Sequence, residues 1–62
     1  MKQRISDLRE LLGDAIAQTV RVEEEPIVRQ TQTLLALCRR AASKATAIHL
    51  EALKLPEPKQ GD

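Results

Sequence analysis

The chain of 62 residues has no Phe, Tyr or Trp, a single Cys, a single His and two Gly. Each scarcity removes a way of being stable or active. Without aromatic rings, no side chain supplies a very large buried area, and none is available for base stacking. One Cys forbids an internal disulfide, and one Cys with one His makes a structural zinc site implausible. A domain of this length sits where a lone hydrophobic core is usually inadequate. The remaining route to a stable fold is association.

Long apolar runs are also missing: nothing approaches the roughly 18 residues of a membrane span. The opening Met1-Lys2-Gln3-Arg4 leads into an amphipathic stretch rather than a signal-peptide core. The expectation is a cytoplasmic protein without a membrane role, and the unpaired Cys agrees with a reducing compartment. The formal net charge of +1 fits neither a strongly basic nucleic-acid binder nor an acidic solvating chain. That average conceals a split. Residues 1–26 carry four bases and six acids, and residues 27–55 carry five bases and one acid.

What is present is apolar periodicity. Between about 26 and 55, Ile27, Leu34, Leu37, Cys38, Ala41, Ala45, Ile48, Ala52 and Leu55 fall on one side of a helix wound at about 100° per residue. From about 3 to 24, Ile5, Leu8, Leu12, Ala15, Ile16, Thr19 and Val20 do the same, with Asp7, Glu10, Asp14 and Arg21 opposite as a solvated face. Ser6 is a possible cap, but Arg9 stands where a capping box wants Glu or Gln, which moves the start toward Lys2. Gly13 lowers helix propensity by about 1 kcal/mol relative to Ala, yet the apolar phase runs through it, so one continuous helix is expected. A short strand over 19–23 competes and lacks a second strand to pair with.

The break falls at Glu23-Glu24-Glu25-Pro26. Proline pushes the preceding residue out of the α region and suits the first position of a new helix, whose dipole the carboxylates favour. The fold expected is all-α: an antiparallel two-helix hairpin, about 3–24 and 26–55, forming one unit over 1–55. A Pro-kinked single helix is the rival, argued by the lack of Gly in the turn. At about 45 Å the second helix would outreach the first by about 12 Å, leaving Leu50, Ala52, Leu53 and Leu55 to find another surface. Residues 56–62, with two prolines and no apolar pattern, read as a disordered tail.

The apolar sector of the second helix spans about 160°, wider than a two-helix seam requires. Helices with such sectors touch two neighbours, as in a four-helix bundle, and two hairpins about a two-fold axis provide that environment. The interface expected comprises Leu34, Leu37, Cys38, Ala41, Ala45, Ile48, Ala52, Leu53 and Leu55. The register 27, 31, 34, 38, 41, 45, 48, 52, 55 keeps the four-three spacing of a left-handed coiled coil.

No residue set carries chemistry. Cys38 lies mid-sector as a small packing residue; His49 lies within the apolar arc, with no carboxylate to orient it and Ser43 more than about 100° away around the helix. The expectation is a non-enzymatic protein without metal or cofactor. Arg29, Arg40, Lys44 and Lys54, flanked by Arg39, form a basic stripe able to track phosphates, interrupted by Glu51. The leading reading is a homodimeric regulatory or adaptor module that binds a protein partner. Its alternatives are a nucleic-acid-binding bundle using that stripe, and a co-chaperone or obligate subunit whose apolar faces a larger protein completes.

Overall fold

The computed structural model describes residues 1–56 as two helices, α1 over Lys2–Glu24 and α2 over Val28–Ala52, packed against each other as a hairpin. No strand occurs among the described residues, so Thr19 to Glu23 complete α1. The helix runs unbroken through Gly13, whose missing side chain opens onto empty space. Its start at Lys2 is the earlier of the two positions the sequence allowed.

The turn takes three residues. Glu25 caps α1 and still donates its N–H to the Arg21 carbonyl at 2.9 Å, while the Ile27 N–H closes on the Glu25 carbonyl at 2.8 Å. That two-residue closure around Pro26 has the hydrogen-bond pattern of a γ-turn. Ile27 is extended, at φ −114° and ψ 160°, and caps α2 from outside. No described residue has positive φ, so the chain reverses without needing glycine. Pro26 therefore precedes α2 by two residues instead of opening it. Of the three carboxylates expected to favour the dipole of α2, Glu23 and Glu24 belong to the last turn of α1.

The far end of α2 also stops early. Lys54 and Leu55 donate to the Glu51 and Ala52 carbonyls at 3.1 Å, three residues back, in the tightened form of a helix end. Pro56 then disfavours α geometry at Leu55. With 23 and 25 residues the helices are about 35 and 38 Å long, so the expected 12 Å overhang shrinks to about 3 Å. An ion pair at 2.5 Å between Arg4 and Glu51 sets Leu50 and Ala52 level with the first turn of α1. Only Leu53 and Leu55 follow the helix, 68% and 56% exposed. Of the tail expected at 56–62, all but Pro56 lies outside the described residues.

Little is buried. Among the described residues Ala15, Gln18 and Ala41 are the buried ones, and no large side chain is fully enclosed. The helix seam explains why. Its buried and half-buried residues are Asp7, Leu8, Leu11, Ala15, Gln18 and Val22 of α1 and Gln30, Leu34, Leu37, Ala41, Lys44, Ala47, Ile48 and Glu51 of α2, and several of these are small or polar. Near the turn, the Gln18 amide nitrogen donates to the Gln30 side-chain oxygen at 2.7 Å and to its backbone carbonyl at 3.0 Å. Farther along, the Lys44 ammonium stands 3.8 Å from Asp7, and Arg4 pairs with Glu51. Every buried side-chain polar atom among the described residues has a partner. The seam thus fixes register with polar contacts more than it buries apolar area.

Candidate association interface

The seam uses only part of each apolar sector, and part of the remainder lies together on one side of the hairpin, while Val28, Leu35 and Leu50 are exposed outside it. Leu8, Leu12 and Ala15 of α1 and Cys38, Ala41, Ala42 and Ala45 of α2 line an open groove of about 300 Å³. No charged residue borders it. Ile5, two turns before Leu12, and Ile16, one turn after it, continue the α1 ridge at the spacing of one helix face. Their exposures, 40% and 68% with 48% for Leu12, are high for residues that occur mostly inside proteins. Along α2 the matching line is Thr31, Cys38, Ala42 and Ala45. It is small-sided, and Thr31 turns its hydroxyl back onto the Val28 carbonyl at 2.8 Å, leaving its methyl for packing.

The opposite side of the hairpin is ionic. Two shallow depressions there are lined by Asp14, Ala17, Gln18, Arg21, Thr33 and Leu37, and by Leu11, Arg40, Ser43, Lys44 and Ala47. The hairpin thus shows an apolar groove on one side and a mixed-charge surface on the other, and the groove side is the one water covers at greatest cost.

The residues expected to form one interface divide between these places. Leu34, Leu37, Ala41 and Ile48 are buried or half-buried in the seam between α1 and α2. Cys38 and Ala45 are exposed in the groove, with Ala52 exposed at its end, and Leu53 and Leu55 lie past the helix. His49 is exposed as well. The register read from the apolar residues shares positions 34, 41 and 48 with the true seam, which follows 30, 34, 37, 41, 44, 48 and 51 at the same four-three spacing. Gln18, Gln30, Lys44 and Glu51 carry polar side chains, so apolar spacing does not select them. The intervals were visible in the sequence, and the composition disguised them.

The basic stripe is only partly assembled. Arg29, Arg39 and Arg40 are exposed and form no ion pair among the described residues, whereas Lys44 is half-buried and held near Asp7. Asp7 belongs to the acidic row expected to be merely solvated. It is half-buried in the seam instead. Carboxylates from α1 and Glu51 stand on the same side as the stripe, so the surface is of mixed sign. Among the described residues no group of three His, Cys, Asp or Glu could hold a metal ion, and no helix is long and apolar enough to cross a membrane.

No family model, curated protein or solved structure matches the chain.

Proposed function

We propose that the chain is a non-enzymatic regulatory or adaptor module whose groove side is covered by a second copy, producing a four-helix bundle that shows its ionic surfaces to a protein partner. One observation carries this reading: the hairpin encloses no large side chain while Ile5, Leu12 and Ile16 stand exposed along a continuous apolar ridge. A fold that fully buries two alanines and a glutamine among the described residues and leaves Leu8, Leu11, Leu34, Leu37 and Ile48 half-buried offsets the entropy of ordering its backbone poorly, and stacking two groove sides gives each helix the second neighbour its sector width requires. The mixed charge of the outer surface favours a protein partner over a phosphate backbone, which calls for one sign.

Light scattering on the eluting peak of a size-exclusion column tests the self-association. A helical species at twice the 6.9 kDa chain mass is expected. An unfolded monomer would replace this reading with that of a subunit completed by a larger, different protein. Titration with mixed nucleic acid at rising salt tests the outer surface: no saturable binding is expected, and a steep negative log-log slope would assign Arg29, Arg39, Arg40 and Lys44 to phosphates instead.

A further inference from the structure

Resting on the self-association proposed above, we infer that the two copies stack with their turns at opposite ends, so that α1 lies on the partner's α1 and α2 on the partner's α2. Two groove sides can meet about a two-fold axis in either of two ways. An axis parallel to the helices puts both turns at one end and lays α1 over the partner's α2. An axis across the helices puts the turns at opposite ends.

Charge decides between them. The half of the hairpin nearer the turn, residues 14–39, carries four acids and three bases, whereas the open half, residues 2–13 and 40–54, carries six bases and three acids. Turns at one end would gather the Glu23, Glu24 and Glu25 carboxylates of both copies there and the surplus bases at the other. Opposed turns bring each acidic turn to the partner's basic end. One pair is specific: Glu23 stands on the same line of α1 as Ile5 and Leu12, exposed, and an axis crossing near Gly13 places it within about one turn of the partner's Lys2. Symmetry makes this contact twice.

Side-chain size agrees. Thr31, Cys38, Ala42 and Ala45 let the two α2 helices approach near the lower end of the ~8–10 Å range. Cys38 lies two residues, about 3 Å along the helix, from the midpoint of α2, so the crossing axis brings the two thiols close together across the α2–α2 contact. In the other arrangement they sit on diagonal helices, beyond disulfide reach. Cys38 is thus a natural reporter of the stacking.

The test uses the full chain at concentrations where light scattering finds a dimer. Mild copper-phenanthroline oxidation is expected to convert most of it to a disulfide-linked dimer that Cys38→Ser abolishes. Spin labels at Glu24→Cys in the Cys38→Ser background are expected to lie about 33 Å apart or more along the axis. Glu23→Lys is expected to weaken dimerisation roughly tenfold at low salt, with recovery on adding Lys2→Glu. A dimer that resists cross-linking and whose labels lie within about 20 Å would overturn the stacking and leave self-association standing. A monomer at every concentration would overturn the reading beneath it.

Discussion

At the scale of single residues, the pair Gln18 and Gln30 illustrates what holds this hairpin in register. Gln18 is 4% exposed and spends its amide on two oxygens of one residue across the seam. A polar side chain in an otherwise apolar position costs stability and penalises wrong alignments, because any slip leaves it unpaired. Gln18→Ala is expected to destabilise the folded state by about 1–2 kcal/mol in urea melts. Gln30→Ala alone should cost less, since its side chain is partly open to water. In the double variant the losses should fall short of additive by about 1 kcal/mol, the signature of a shared contact. Additive losses would mean the two amides act independently.

At the scale of the element, α1 contains a removable weakness. Gly13 sits mid-helix with nothing within 4 Å of where a Cβ would be. Gly13→Ala should raise stability by about 1 kcal/mol, read as a higher denaturation midpoint at unchanged mass. A loss would show that another surface packs against that position. The elements themselves were legible in the sequence: apolar spacing gave both helices, and the acidic run before Pro26 gave the break. Their ends were less so, because the closure around Pro26 and the tightened turn at Lys54 and Leu55 depend on local backbone geometry that side-chain periodicity does not encode. The division of the apolar sectors was hidden for a different reason. Periodicity reports which side of a helix avoids water and says nothing about which neighbour provides the cover. Cys38 and Ala45 therefore looked equivalent to Leu34 and Ile48, although the first two are exposed in the groove and the others line the seam.

At the scale of the whole molecule, a groove alanine separates a surface from an interface. Ala45 is exposed on the open groove, so within one hairpin a larger side chain there can extend into solvent. If a second copy covers the groove, Ala45→Phe overpacks the junction and should weaken dimerisation by about 1–3 kcal/mol, seen as a dimer-to-monomer shift in sedimentation equilibrium. An unchanged distribution would place the contact elsewhere. The seam pairs, Lys44 with Asp7 and Arg4 with Glu51, are solvent-accessible and contribute about 0–1 kcal/mol each, so they orient the helices without replacing the missing core.

On the proposed self-association, a hairpin that encloses no large side chain folds and associates in one event. Helix melting followed by circular dichroism over a hundredfold range of chain concentration measures that coupling. The midpoint should climb steadily with concentration, as mass action requires of a folded dimer in equilibrium with unfolded chains. A sharp cooperative melt whose midpoint stays fixed across the whole range would contradict it.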